Sequence, residues 1–137
     1  MRSLENQFNT SEYLIKNNMK VLEVDEDHVC MEQRVTDSIR NIYGNVHGGS
    51  LFALADTTAG IQCMANGRKC VTLDGDIHFV HPAAGSMIYS RSELVSMGHS
   101  VGVFNVNIFD EDETLTSRAT MTMYFIKEKR EENVASK

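Results

Sequence analysis

The chain of 137 residues has no tryptophan, a single proline and three cysteines, and its 13 Lys and Arg are outnumbered by 19 Asp and Glu. Each shortage removes a class of protein. Cys30, Cys63 and Cys70 are odd in number and lack C-x-x-C spacing, so they point neither to a disulfide framework nor to a zinc site and read as small buried hydrophobes. No run of about 18 apolar residues is present that could span a bilayer, and MRSLENQFNTSEY lacks the apolar stretch of a secretion signal, so a cytoplasmic chain with no membrane partner is expected. The net charge of -6 argues against nucleic acid, whose backbone is held by clustered Lys and Arg. An anionic small ligand would need a local basic patch or helix N-terminal N–H groups. What remains is a composition 42% hydrophobic and 23% charged, suited to one domain over residues 1–137 that buries a core without disulfide or metal.

The order of elements follows from periodicity. Asn9 and, three residues on, Glu12 have the form of a capping box, and Tyr13, Leu14, Ile15 and Met19 predict a short N-terminal helix. Lys20–Glu26 and His28–Thr36 read as two strands of a hairpin, and Asp37–Gly44 as a loop. From Gly49 to Asn66 there is no period of two and little β-branching, but Ala, Leu, Met and Phe persist, which predicts a helix apolar almost all round and enclosed on most sides. Val71, Leu73, Ile77 and Phe79 then alternate with Thr72, Asp74, Asp76 and His78, with Gly75 keeping the apolar phase of a half-buried strand that Pro82 should end. Met87–Met97, Val101–Phe109 and Thr114–Ile126 complete about six strands. Short turns at Gly98-His99 and Asp110–Glu113 make the sheet antiparallel there. The pattern is α+β, a curled antiparallel sheet wrapped round one central helix, as in the hotdog fold. Residues 128–137, rich in charge, read as a frayed tail.

Two apparent motifs dissolve. Gly98-His99-Ser100-Val101-Gly102 matches a nucleophile elbow, but strand rather than helix follows it and no histidine lies beyond His99. Asp74 to His81 offers metal-ligating atoms, yet His78 and His81 point to opposite faces of a strand, and Asp74, Asp76 and His78 lie in a row without converging. Asp56 is different. It is the only formal charge between Gly49 and Asn66, and its helical neighbours Phe52, Ala53, Ala59 and Gly60 cannot neutralise it. Such a carboxylate is protonated, paired with an arginine from elsewhere, or turned to a polar pocket. At the start of the same helix, His47-Gly48-Gly49 either makes a tight turn or presents unsatisfied N–H groups to developing negative charge, the physics of an oxyanion hole. Gly48 and Asp56 are eight residues apart, about 12 Å along a helix axis. One carbonyl reaches both most simply if they come from two subunits with opposed helices, so a dimer with two composite sites is expected.

Asn41, five residues, His47-Gly48-Gly49, six residues, Asp56, followed by Val71-Thr72-Leu73-Asp74, Phe79-Val80-His81-Pro82-Ala83 and the Gly98 turn, resembles the hotdog-fold acyl-CoA thioesterases of the phenylacetic-acid-degradation type over residues 10–127. The resemblance implies hydrolysis of an acyl-CoA to free acid and CoA without metal or cofactor. Asp56 would be the general base on water or the nucleophile, and the N–H of Gly48 the oxyanion donor. The Asn41 side chain would hold the carbonyl or the water, His47 would shape the hole, and Thr72 would position the water. Gly49 and Phe52 would contact the substrate. The family implies homodimers, often paired into homotetramers. His78 and His81 depart from its usual pattern, at positions that bear on substrate or subunit contacts. A non-catalytic acyl-CoA sensor and a dehydratase are rivals on the same fold. Binding alone has no use for a base, and the order His-Gly-Gly then Asp suits hydrolysis better than dehydration.

Overall fold

The computed structural model describes residues 3–127. Two short helices, α1 (Leu4–Asn9) and α2 (Glu12–Lys16), precede the hairpin of β1 (Met19–Val24) and β2 (Val29–Arg34). A 3₁₀ turn at Asp37–Ile39 leads to α3 (Gly48–Ala65), and β3 (Cys70–Phe79), β4 (Met87–Met97), β5 (Val101–Asp110) and β6 (Leu115–Phe125) follow. The six strands form one sheet in the order β1-β2-β4-β5-β6-β3, with every neighbouring pair antiparallel. Between β2 and β3 the chain passes from one side of the sheet to its far edge, and α3 makes that crossing beneath the concave face. This is the curled sheet round a central helix expected of a hotdog fold. Among the described residues no helix is long and apolar enough to cross a membrane.

The helix forms because Leu, Ala, Met and Phe dominate eighteen residues without a β-branched run. Leu51, Leu54, Ala55, Ala59, Ile61 and Cys63 are buried against Val21, Met31, Ile88, Phe104, Val106, Ile108, Met121 and Met123 of the sheet. Two polar side chains of α3 enter this core and both are satisfied. The Thr58 hydroxyl lies 2.7 Å from Ser90 Oγ and donates to the Leu54 carbonyl. Gln62 Nε2 donates to the carbonyls of Asp25 and Glu26 in the β1–β2 turn, while its Oε1 accepts from Ser92 Oγ at 2.7 Å. The enclosure predicted for α3 is incomplete, since Ala53, Asp56, Thr57 and Gly60 stay partly accessible and Met64 is exposed.

The structure corrects three further expectations. The N-terminal helix is two helices, and Asn9 caps neither. Ser3 caps α1 through Oγ, Ser11 occupies the cap position of α2, and the Asn9 amide pairs instead with the N–H and C=O of Val21 on the edge strand β1. An open strand edge offers an amide two backbone partners, which outweighs one helix cap. In β3, a bulge between Thr72 and Asp74 shifts the phase. Gly75 and Ile77 keep the predicted inward face, but Val71 and Leu73 are 51% and 62% exposed, and Thr72 turns toward α3 instead. Of the cysteines only Cys63 is fully buried; Cys30 and Cys70 are half-buried. The predicted tail at 128–137 lies outside the described residues.

Candidate active site

The loop before α3 is built by Asn41. Its Oδ1 accepts the backbone N–H groups of Tyr43 and Asn45, at 2.9 and 3.1 Å, leaving its amide NH₂ as the group able to reach a ligand. A bridge between Arg40 and Val46 closes the loop, and the Val46 N–H donates to the Ala83 carbonyl, tying the loop to the segment that follows β3. His47 is the N-cap: its Nδ1 accepts the Gly49 N–H at 2.9 Å, and its carbonyl accepts from Ser50 and Leu51. The N–H of Gly48 is engaged by none of the described residues and is the first donor of a long helix, where the dipole adds to its pull on negative charge. Both glycines lie where a side chain would crowd a neighbour. A Cβ on Gly48 would lie 3.2 Å from Cζ of Phe79, and one on Gly49 3.1 Å from the capping nitrogen.

Gly48 opens on a cleft of about 390 Å³ lined by Asn41, Asn45, Leu51, Phe79, His81 and Pro82 among others. Asp56, Thr72 and Phe52 do not line it. Two turns along α3, Asp56 meets β3, where the Thr72 hydroxyl donates to Oδ1 at 2.5 Å. The β3 bulge makes this contact possible, because it turns Thr72 to the helix side. Phe52 stands between the two places, its ring packed over Gly75. Within one chain, then, Asn41, His47, Gly48 and Gly49 form one group and Asp56 and Thr72 a second.

Sequence reasoning missed the contribution of the segment after β3. Phe79 and His81 line the cleft, and His81 is fixed there by its N–H to the Thr116 carbonyl, with Nδ1 2.9 Å from the Pro82 carbonyl. Their sequence signals were the Phe79-Val80-His81-Pro82-Ala83 stretch of the resemblance and the Pro82 that ends the strand, neither of which set them beside Gly48. His78 points away from the cleft and pairs with Asp76 at 3.6 Å, both well exposed. Ser100 lies in the β4–β5 turn, closed by the Gly98 N–H to the Val101 carbonyl, as expected of a hairpin and not of a nucleophile elbow.

The thioesterase superfamily description matches residues 43–117, more than half of the chain, a span that holds His47, Gly48, Gly49, Asp56 and Thr72 but begins just after Asn41. The chain belongs to the thioesterase superfamily. Among relatives of this thioesterase, the acyl-coenzyme A thioesterase PaaI of Escherichia coli K12 is 28% identical over 94 residues, 68% of this chain and 67% of the relative. The solved structure of E. coli PaaI superposes with a TM-score of 0.83 at 20% identity, over 91% of this chain and 97% of that one, and shows the shared fold. A hypothetical thioesterase from Streptococcus pneumoniae TIGR4, solved with coenzyme A, superposes at TM-score 0.78 with 28% identity, over 82% of this chain and 92% of that one. The same pneumococcal protein has also been solved with an aspartate, or a threonine sixteen positions later, replaced by alanine. The thioesterase is thus a hotdog thioester hydrolase, as the Asn, His-Gly-Gly and Asp spacing implied.

Proposed function

We propose that this thioesterase hydrolyses an acyl-CoA to the free acid and CoA at two composite sites of a homodimer. Each site takes Asn41 and Gly48 from one protomer and Asp56 and Thr72 from the other. The observation that carries the reading is the separation along α3: an unengaged Gly48 N–H at the cleft, and the helix's lone carboxylate about 12 Å further on. Neither group alone can polarise a carbonyl and activate water on it.

The chemistry follows from the donors present. Thr72 occupies Oδ1 of Asp56, which leaves Oδ2 to take a proton from water as that water attacks the thioester carbonyl. Charge developing on the carbonyl oxygen meets the Gly48 N–H and the Asn41 amide NH₂, groups already oriented by the helix and the loop. Collapse of the tetrahedral intermediate expels the CoA thiolate, a good leaving group. If Asp56 attacks directly and expels the CoA thiolate, water that opens the resulting anhydride at the Asp56 carbonyl leaves heavy oxygen from labelled water in the Asp56 carboxylate after a single turnover, whereas the general-base route puts it only in the product acid. Phe52, beside the seam, would border the acyl chain, and Gly49 would let the thioester approach the helix start.

Two features support the pairing of protomers, and a third the choice of Asp56 and Thr72. β3 is an edge strand with its outer backbone unpaired along ten residues. The partly open stripe of Ala53, Asp56, Thr57 and Gly60 on α3 faces the same side as that seam. The solved relative bound to coenzyme A was also altered at an aspartate and a threonine with the spacing of Asp56 and Thr72. A tetramer formed from two such dimers belongs to the same proposal.

The test is a free-thiol assay over short, long and aromatic acyl-CoAs. Asp56→Asn should lose at least about 100-fold in kcat, the lower range for a general base. Unchanged turnover in that variant would sink the mechanism. Binding of CoA by the wild-type chain without turnover of any acyl-CoA would instead favour an acyl-CoA sensor.

A further inference from the structure

The β1–β2 hairpin sits at the opposite end of α3 from the Gly48 cleft, held there by Gln62. Its outer face carries the one group of three metal-ligating side chains found among the described residues. β1 contains a bulge between Val21 and Glu23, and this decides where Glu23 goes. Val21 is 1% exposed and faces the core, so regular alternation would bury Glu23 as well. The bulge turns it out and sets it opposite Cys30. Cys30 lies between Val29 and Met31, both fully buried, so its sulfur points outward too.

His28, the last residue of the turn, completes the group. Its Nε2 is 3.4 Å from Glu23 Oε2, and its Nδ1 is 3.6 Å from Asp25 Oδ1. Asp25 Oδ1 also accepts the backbone N–H groups of Asp27 and His28, which fixes the turn and holds its carboxyl below the usual carboxylate range. At 3.6 Å Asp25 is just beyond hydrogen-bond distance of Nδ1, and a small turn of the ring on metal binding would let it fix the tautomer that leaves Nε2 as the ligand. The donor atoms of Glu23, His28 and Cys30 all lie within 4.8 Å of one another. Zinc bonds of about 2.0–2.3 Å in a tetrahedron set donors about 3.3–3.8 Å apart. Glu23 and His28 already stand within that range at 3.4 Å, so the adjustment that remains is of the half-buried Cys30 sulfur relative to the two of them.

We propose that Glu23, His28 and Cys30 form a zinc-binding site, with Asp25 orienting the histidine and the fourth position taken by water. Sulfur, imidazole nitrogen and carboxylate oxygen together suit zinc rather than magnesium or calcium, which take oxygen ligands. The one cation beside the site, Arg91, has Nη1 3.5 Å from Cys30 Sγ and donates to that sulfur. The site is separate from thioester hydrolysis and brings together the first hairpin alone.

The full chain, free of any affinity tag and stripped with a chelator, is titrated with cobalt as a spectroscopic stand-in and then with zinc. One cobalt per chain should give a thiolate-to-cobalt charge-transfer band that zinc removes. Cys30→Ser should abolish the band and Cys63→Ser should keep it. His28→Gln and Glu23→Gln should each weaken zinc binding by about 10-fold or more, and Asp25→Asn by a similar factor. Acyl-thioester turnover should be unchanged throughout. All four side chains lie on the outer face of a hairpin, and far-UV circular dichroism checks that each variant is folded; should Cys30→Ser fail that check, His28→Gln decides. Absence of a charge-transfer band, its survival in Cys30→Ser, or unaltered zinc affinity in His28→Gln would overturn the site.

Discussion

Thr72 supplies the one hydrogen bond that Asp56 receives among the described residues, and it reaches it only through a bulged strand. In the proposed mechanism that bond makes Thr72 a positioning residue for the carboxylate, where the resemblance implied one for the water. Thr72→Val should therefore lower kcat by about 10- to 100-fold with little change in KM, the range for losing a hydrogen bond to a charged group. Thr72→Ser should restore most of the rate, and a valine variant as fast as wild type would remove Thr72 from the mechanism. Much of the candidate site could be read at this scale. Asp56 stood out as a lone charge in an apolar helix, and Gly48 as a small residue at a helix start. Phe79 and His81 could not be found the same way, because they meet Gly48 only after the sheet has curled.

Secondary-structure elements were legible wherever alternation ran unbroken. Met87–Met97 was bounded as the structure has it despite a bulge between Leu94 and Ser96, and of the inward β6 set Leu115, Ala119, Met121, Met123 and Phe125 all but the half-buried Leu115 are buried, while Thr116 of the opposite set is buried too. A bulge broke the reading in β3, since an extra residue in a strand leaves no mark in composition. The polar clasps between elements were equally hidden, and they carry two predictions. Gln62→Ala leaves Ser92 and the turn carbonyls of Asp25 and Glu26 without their partner and opens a small void, which should destabilise the fold by about 3 kcal/mol in chemical denaturation. Glu111 Oε1 accepts both the N–H and the hydroxyl of Ser86, joining the β5–β6 turn to the start of β4, and these bonds hold its carboxyl below the usual range. A carboxyl depressed in the folded state stabilises above its unfolded pKa, and that stabilisation fades as pH falls through the folded value. Glu111→Gln should thus lower Tm at neutral pH and converge with wild type in strong acid, whereas a constant difference across pH would remove the assignment.

At the scale of the whole molecule, the two halves of the proposed site lie on one rigid helix and cannot approach one another within a chain. Subunit mixing tests this directly. Asp56→Asn and Asn41→Ala chains, each nearly inactive alone, should recover about a quarter of wild-type activity when unfolded together in equal amounts and refolded, since half of the dimers mix and one of their two sites is intact. No recovery would place both groups on the same chain's site. The two edges of the sheet are also unequal. At β1 the Asn9 amide has already taken the outward N–H and C=O of Val21, with α1 packed alongside, while β3 is left bare. A sheet with one bare edge can join one other sheet and no more, so in the proposed dimer such growth would stop at two copies. Asn9 and α1 would together act as the chain terminator of that assembly, since an edge stripped of both would leave each molecule two adhesive sides and turn the closed pair into an endless ribbon.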